Sequence, residues 1–220
     1  MPNALSDAHQ LGLGYKGNKP CKTLSTHKKA KLIVLTGGPG AGKSAVLEIA
    51  RRNFCKHVAI IPEAASIIFG GGFPRIDTLS GRLASQRAIF HCQYQLEQMV
   101  LEDPDISIGL CDRGILDCLA YWPNSENSFW DEVKLTKEQI FSRYEMLIHL
   151  RTPPIDQGYN HENPLRTESA QRAKQIDEKI FKVWEQHPNR HIVENKDIFF
   201  EKVQDAMKYI MDYIPSGCRL

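Results

Sequence analysis

The 220-residue sequence contains no long apolar run, no strong excess of charge and no signal-peptide pattern. No apolar stretch approaches the length of about 20 residues that a membrane-spanning helix requires. The net charge is only +2, so composition gives no electrostatic case for nucleic-acid binding. Residues 1–20 lack the charged-then-apolar layout of a signal peptide. These absences favour a cytoplasmic protein with no transmembrane segment and no nucleic-acid partner.

Paired cysteines are also lacking, because the six cysteines of the chain form no C-x-x-C motif. Several of them lie in apolar runs, where a free thiol packs as a small apolar group. This usage is typical of a protein in a reducing compartment, and the cytosol is the simplest one. No internal repeat is visible along the chain.

The chain does have an unusually glycine-rich stretch, LTGGPGAGKSAV, at residues 35–46. Gly37 is followed after four residues by Gly42, Lys43 and Ser44, which is the pattern G-x-x-x-x-G-K-[ST] of a phosphate-binding loop, or P-loop. That pattern needs a strand before it and a helix after it. Both are predicted here, because KLIVLT precedes the loop and KSAVLEIARRN has helical spacing of its apolar residues.

The residue types of this loop indicate the ligand. Small residues allow successive backbone N–H groups to surround a phosphate, and the following helix directs the positive end of its dipole to the same point. Lys43 adds a charge for the β- and γ-phosphates, and Ser44 offers a hydroxyl to Mg²⁺. The sequence therefore predicts ATP as ligand, with GTP as an alternative, and Mg²⁺ as the metal. The predicted nucleotide-binding residues are Gly38, Pro39, Gly40, Ala41, Gly42, Lys43, Ser44 and Ala45.

Strand-like and helix-like segments alternate from residue 31 onward, which predicts an α/β fold. We expect a three-layer α/β/α P-loop fold with a five-stranded parallel sheet, like that of nucleoside kinases. Residues 1–30 are predicted to be a flexible extension, with an arm folded over the domain as the alternative, and residues 31–213 to form the P-loop domain with a lid loop near 152–166. The predicted strands are 31–36, 58–62, 106–111, 145–150 and 190–194, and the predicted helices are about 43–55, 62–70, 79–102, 114–121, 136–144, 168–187 and 196–213.

Charged residues follow the predicted strands, where an open parallel sheet binds its ligands. Glu63 follows the second strand and is a candidate general base, although capping or a salt bridge would also explain it. Asp112 follows the third strand and is a candidate metal ligand and catalytic residue, with helix capping as the alternative. Arg113 and Arg166 are candidate catalytic cations for the charge that develops in phosphoryl transfer, although a surface ion pair would also account for Arg113.

A guanine-specific switch of the Ras type is not supported. Such proteins carry N-K-x-D after a strand, whereas residues 195–197 read Asn-Lys-Asp, one residue short. The third predicted strand is not followed by D-x-x-G. GTP stays an alternative ligand, but a Ras-like switch is not expected.

The segments GGPGAGKS, IPEAAS, CDRGILDCLAYW and NPLRTE together resemble the NadR-type family of kinase-like P-loop NTPases. The resemblance covers about residues 31–213, and its members include both kinases and proposed binding proteins. More distantly the chain is similar to deoxynucleoside kinases, and Glu63, Gln86 and the Asp112–Arg113 pair stand in places that match theirs. That likeness implies Glu63 as base and Gln86 as a nucleobase-reading residue, although the chain has Asp-Arg-Gly where those kinases have Glu-Arg-Ser. Gln86 and Asp117 are the candidate substrate-binding residues.

We therefore expect a kinase that transfers the γ-phosphate of ATP to a hydroxyl group of a nucleoside-like small molecule. The main alternative is a regulatory switch, in which ATP or GTP orders the 152–166 loop and the protein recruits a protein or lipid partner. A mechanical ATPase is a weaker third hypothesis. The oligomeric state and the phosphate acceptor are left open by the sequence.

Overall fold

A five-stranded parallel β-sheet lies at the centre of the protein. The computed structural model describes residues 16–17, 21, 29–153, 170–215 and 218. The strands are β1 (Lys31–Thr36), β2 (Val58–Ile61), β3 (Ile108–Asp112), β4 (Tyr144–Leu150) and β5 (Arg190–Val193). They lie in the order β2-β3-β1-β4-β5, so β1 is the central strand. The predicted five-stranded parallel sheet is confirmed.

Helices cover both faces of the sheet. The residues of β1 that face either side are therefore apolar. Leu32 and Val34 face one apolar core, while Ile33 and Leu35 face the other. The helices are α1 (Lys43–Asn53), α2 (Ala64–Gly70), α3 (Leu79–Glu102), α4 (Asp117–Tyr121), α5 (Glu126–Val133), α6 (Lys137–Phe141), α7 (Ala170–Val183) and α8 (Phe199–Tyr213). Helices α1 and α8 pack on the second face, and α3 and α5–α7 pack on the first. The predicted three-layer α/β/α fold is therefore confirmed.

The element boundaries differ from the predicted ones by a few residues, and one helix was not predicted. Strand β3 begins at Ile108 rather than at 106, and α4 begins at Asp117 rather than at 114. The unpredicted helix is α5, whose eight residues are mostly polar. It is fixed by tertiary contacts, because the buried ring of Phe129 packs edge-to-face against Phe90 and Trp122. Within the described residues, no helix has the length and apolar character needed to cross a membrane.

The described residues of the N-terminal extension lie against the domain. Lys16 forms an antiparallel bridge with Ala59 of β2, and the backbone N–H of Gly17 donates to the carbonyl oxygen of Val58 (2.8 Å). Lys16 also pairs with Asp103 (2.9 Å). The boundary at residue 30 stays a prediction, as does the lid loop, of which residues 154–166 lie outside the described part of the chain.

The order of the strands determines which strand ends lie next to the P-loop. The P-loop leaves the carboxyl end of the central strand β1, and its two neighbours are β3 and β4. Asp112 is the last residue of β3, and Glu63 follows β2 on the far side of β3. Because the carboxyl ends of parallel strands share one edge of the sheet, these groups face the P-loop.

Candidate active site

The P-loop connects β1 to α1, and two of its glycines have backbone conformations that other residues rarely adopt. Gly37 has a φ angle of 129° and Gly42 a φ angle of 99°. A β-carbon on Gly37 would lie 2.0 Å from the carbonyl oxygen of Leu150, and one on Gly42 would lie 2.7 Å from the ring of Phe199. Both the φ angles and the close neighbours therefore require glycine at these positions.

Lys43 and Ser44 are the first two residues of α1. The Nζ atom of Lys43 donates to the carbonyl oxygens of Gly37 (3.0 Å) and Gly38 (3.1 Å). Burial and the charge of Arg113 lower the pKa of Lys43 to about 8, although nearby carboxylates oppose that change. Ser44 is exposed and lines the same cleft. This end of the cleft therefore offers an ammonium group, a hydroxyl and a helix N-terminus to a phosphate.

Asp112 has a carboxylate oxygen that the described part of the protein leaves unsatisfied. Its Oδ1 atom is buried and has no hydrogen-bond partner among the described residues. Burial and the charge of Glu63 raise the pKa of Asp112 to about 6, although Lys43 and Arg113 oppose this. Buried oxygens without partners are uncommon, and a bound cation would satisfy this one. Asp112 and the Ser44 hydroxyl therefore fit Mg²⁺, which prefers oxygen ligands. The capping alternative is not supported, because the N-cap residue of α4 is Leu116.

Glu63 and Arg113 form an ion pair across the cleft. The Nε atom of Arg113 donates to Oε1 of Glu63 (2.6 Å), and the Ser66 hydroxyl donates to Oε2 (2.6 Å). Burial would raise the pKa of Glu63, but the charges of Arg113 and Lys43 and these hydrogen bonds lower it to about 2. Glu63 occupies the N-cap position of α2 without a capping hydrogen bond from its side chain. Glu63 therefore forms the salt bridge that the sequence left open as an alternative. Both members of this ion pair line the cleft.

Arg113 is held in a sparsely populated backbone conformation. Its φ angle is 75°, and its backbone N–H donates to the carbonyl oxygen of Leu35 (3.0 Å). Its side chain, 13% exposed, reaches the carbonyl oxygen of Gly37 (3.2 Å) in the P-loop as well as Glu63. Left-handed backbone at a residue other than glycine is costly and tends to occur at functional sites.

Asp117 is buried, and protein groups satisfy its carboxylate. Its carboxylate accepts hydrogen bonds from the Thr36 hydroxyl (2.7 and 2.8 Å), from Nε1 of Trp184 (2.6 Å) and from Arg113 (3.4 Å). These contacts join β1, α4 and the segment after α7. Asp117 lines the cleft, as a substrate-binding residue would. Its contacts in the structure, however, are those of a group that positions Arg113.

One cleft brings together most of the predicted site residues. It encloses about 1050 Å³ of empty space, its open mouth included. Its lining extends from the P-loop to residues of α2, α3 and α4, so it has room for more than a phosphate group. The predicted site residues that line it are Pro39, Gly40, Lys43, Ser44, Glu63, Gln86, Asp112, Arg113 and Asp117. Its other lining residues include Phe69, Arg75, Ile89, Gln93 and Tyr121.

Some predicted residues are not in that lining. Gly38, Ala41, Gly42 and Ala45 belong to the P-loop and the start of α1, where Ala41 is fully buried. Arg166 lies outside the described residues.

Sequence reasoning missed Asp177, which contacts the P-loop from α7. Its Oδ1 atom accepts a hydrogen bond from the backbone N–H of Gly38 (2.9 Å) and lies 2.9 Å from Nε2 of His149. Arg151 pairs with the other oxygen (3.3 Å), and the Thr152 hydroxyl donates to the carbonyl oxygen of Pro39 (3.3 Å). The P-loop is therefore held by the end of β4 and by α7.

Gln93 on α3 was also missed. Its side chain accepts from the backbone N–H of Ala64 (3.3 Å) and donates to the carbonyl oxygen of Arg113 (3.2 Å) and to Glu97 (3.4 Å). It thus links the residues that follow Glu63 to Arg113. A single amide on a long helix has no local sequence signal for such a role.

The comparisons with known proteins agree with this geometry. The family model described as an AAA domain matches residues 32–202, so the chain belongs to that AAA-domain family of P-loop proteins. The comparison with curated proteins gave no match.

Two solved structures are kinase-like neighbours in fold. One is the thymidylate kinase of Ehrlichia chaffeensis, with a TM-score of 0.56 and 14% identity over 82% of this chain and 98% of that one. The other is a NadR protein in complex with NAD and AMP-PNP, with a TM-score of 0.61 and 14% identity over 87% of this chain and 51% of that one. The chain thus spans about half of the NadR protein. The chain therefore has a kinase-like P-loop NTPase fold.

Proposed function

We propose that the chain is a small-molecule kinase that transfers the γ-phosphate of ATP to a hydroxyl group of a nucleoside-like acceptor. The observation that carries this proposal is the extent of the cleft. Besides the P-loop and the Glu63–Arg113 pair, its lining includes Phe69, Gln86 and Tyr121, which we name the acceptor wall. Aromatic rings and an amide are groups that would hold a flat, hydrogen-bonding acceptor. A protein that only hydrolyses or senses nucleotide has no need of such groups beyond the phosphate site.

The charged groups of the cleft suit phosphoryl transfer. In the proposed reaction the acceptor oxygen bonds to the γ-phosphorus, the bond to the β–γ bridging oxygen breaks, and ADP leaves. Mg²⁺, held by Asp112 and Ser44, would supply positive charge next to the phosphate oxygens. Lys43 and Arg113 contribute fixed positive charge at the same place. Arg166 is proposed to add a further cation.

Glu63 is proposed to orient the acceptor hydroxyl and to receive its proton. Its low pKa keeps it ionised, so it accepts a hydrogen bond at neutral pH. A weak base is adequate, because phosphoryl transfer depends mostly on positioning and on electrostatic stabilisation. The proton then passes to water as the product leaves.

A regulatory switch is the second candidate, and one contact favours it. Asp177 joins the P-loop to α7, so a nucleotide that alters the backbone of Gly38 would act on that helix. In this account ATP or GTP binding changes the surface around α7 and recruits a protein or lipid partner.

Product analysis tests the proposal. The protein is incubated with Mg²⁺ and ATP or GTP, together with a panel of nucleosides that includes nicotinamide riboside, and phosphorylated products are measured by mass spectrometry. We expect one acceptor class to yield product and to accelerate ATP consumption, and Lys43→Ala to yield none. Absence of product from the whole panel, with tight nucleotide binding retained, would overturn the kinase in favour of the switch.

A further inference from the structure

Four metal-ligand side chains meet at the end of the sheet opposite the cleft. Cys55 and His57 lie in the short connection between α1 and β2, at the amino end of that strand. Cys21 belongs to the N-terminal extension, and Cys218 follows α8 near the C-terminus. We name these four residues the Cys₃His cluster. The proposed kinase chemistry uses none of them.

The distances within the cluster are those of groups around a common centre. The Sγ atoms of Cys21 and Cys218 are 3.9 Å apart. The Nδ1 atom of His57 lies 3.5 Å from Sγ of Cys55 and 3.5 Å from Sγ of Cys218. One ligand atom from each of the four residues lies within 4.8 Å of all the others.

These spacings match a tetrahedral zinc ion. With Zn–S bonds of about 2.3 Å and Zn–N bonds of about 2.0–2.1 Å, a regular tetrahedron separates two sulfurs by about 3.8 Å and a sulfur from a nitrogen by about 3.6 Å. The observed separations of 3.9 and 3.5 Å agree with both values. Three thiolates and one imidazole form a ligand set that structural zinc sites commonly have.

From this agreement we propose that the Cys₃His cluster binds one structural Zn²⁺ ion. All four positions of the tetrahedron come from protein side chains, so the site has no open position for a substrate and is not catalytic. On binding, the three thiols lose their protons and the imidazole binds through Nδ1 in its neutral form. The net charge of the loaded site is −1.

The surroundings favour a metal site over a disulfide or three packed thiols. Cys55, His57 and Cys218 are each at most 4% exposed. A disulfide between Cys21 and Cys218 would need their sulfurs about 2.05 Å apart, and it would leave the other two groups without a role. A single ion accounts for the convergence of all four side chains.

The zinc ion would fix both ends of the chain to the P-loop domain. The Lys16–Ala59 bridge and the hydrogen bond of Gly17 to Val58 align the N-terminal residues along the edge of β2, a few residues before Cys21. Cys218 brings the C-terminal segment to the same point. Residues 21 and 218 are thereby joined through the connection that follows α1.

Metal analysis of the full-length protein tests this proposal. The protein is purified with a thiol reductant, supplied with Zn²⁺, freed of loose metal, and its zinc is measured by mass spectrometry. We expect about one zinc per chain in the wild type and in Cys92→Ser, a matched control whose cysteine lies on α3 outside the cluster. Cys21→Ser and the double variant Cys21→Ser/Cys218→Ser should retain far less.

Cobalt substitution tests the site in the wild-type protein, so its result does not depend on whether the variants fold. Co²⁺ in the wild-type site should give the intense visible bands of tetrahedral cobalt–thiolate coordination, and zinc should displace them. A wild-type protein without stoichiometric zinc and without these bands would overturn the proposal. Equal zinc content in the wild type and the double variant would overturn it also, as would an isolated Cys21–Cys218 disulfide that binds no metal after reduction. All of these results are independent of kinase activity.

Discussion

Asp112 and Glu63 face one cleft but have opposite environments. Glu63 has hydrogen-bond donors on both carboxylate oxygens, and Asp112 has a buried oxygen with none among the described residues. Burial raises the pKa of Asp112 to about 6, whereas nearby cations lower the pKa of Glu63 to about 2. This difference supports the proposed roles of the two groups, with the metal at Asp112 and the acceptor hydroxyl at Glu63.

The first prediction separates these roles by substitution. Glu63→Gln preserves the shape of the side chain but removes its charge, so we expect phosphoryl transfer to fall by about 10²–10⁴-fold with ATP affinity nearly unchanged. Asp112→Asn should reduce turnover and also raise the Mg²⁺ concentration required for half-maximal rate. Both are measured by product formation across a magnesium titration. Indistinguishable magnesium curves for the two variants would contradict the assignment.

The second prediction concerns Lys43. Its ammonium group lies over the P-loop carbonyls of Gly37 and Gly38 and contributes little apolar packing. Lys43→Ala should abolish tight Mg–ATP binding, measured by calorimetry, while the circular dichroism spectrum stays that of the wild type. ATP affinity like that of the wild type would contradict the predicted P-loop function.

At the scale of single elements, α7 supports the P-loop through Asp177, and this gives the third prediction. Asp177→Ala leaves the buried N–H of Gly38 without its acceptor, which costs about 1–3 kcal/mol. We expect a lower unfolding temperature together with weaker ATP binding. The matched control is Glu178→Ala on the same helix, because Glu178 is exposed and pairs with Arg151. Ion pairs with an exposed partner usually contribute little, about 0–1 kcal/mol.

Thermal unfolding and ATP titration of both variants check this prediction. If the two substitutions lower the unfolding temperature and the affinity equally, the contact between α7 and the P-loop has no special role.

The predictable elements are those with a local pattern. The P-loop and the strand before it follow from G-x-x-x-x-G-K-S, because that pattern specifies a backbone conformation, as the φ angles of Gly37 and Gly42 show. Helix α5 was missed because its stability depends on Phe129 packing against distant rings. Asp177 was missed for the same reason, since its partner Gly38 lies 139 residues away. Spacing within a segment cannot reveal a contact that only the completed fold creates.

At the scale of the whole molecule, the N-terminal arm, residues 16–17, lies against the domain on the side away from the cleft, and this gives the fourth prediction. A β-carbon on Gly17 would lie 2.4 Å from the carbonyl oxygen of Cys55. Gly17→Ala should displace the arm and cost about 1 kcal/mol or more, which lowers the unfolding temperature by about 2–4 °C per kcal/mol. ATP affinity should be unchanged.

Gly70 offers the matched control for this variant. A β-carbon on Gly70 would meet no atom within 4 Å outside its chain neighbours and its own helix backbone, so Gly70→Ala should not lower the unfolding temperature. Differential scanning fluorimetry of the two variants measures the difference. Equal unfolding temperatures would show that the arm does not contribute to stability.

The phosphate-binding loop and the acceptor wall lie on different elements, so substitutions can change one without the other. The phosphate-binding loop follows the central strand β1. Phe69 and Gln86 of the acceptor wall instead lie on α2 and α3, which follow the edge strand β2 along the chain. Substitutions in that wall leave the central strand and its loop intact. In the proposed kinase, such substitutions would exchange one acceptor for another and leave the phosphate donor unchanged.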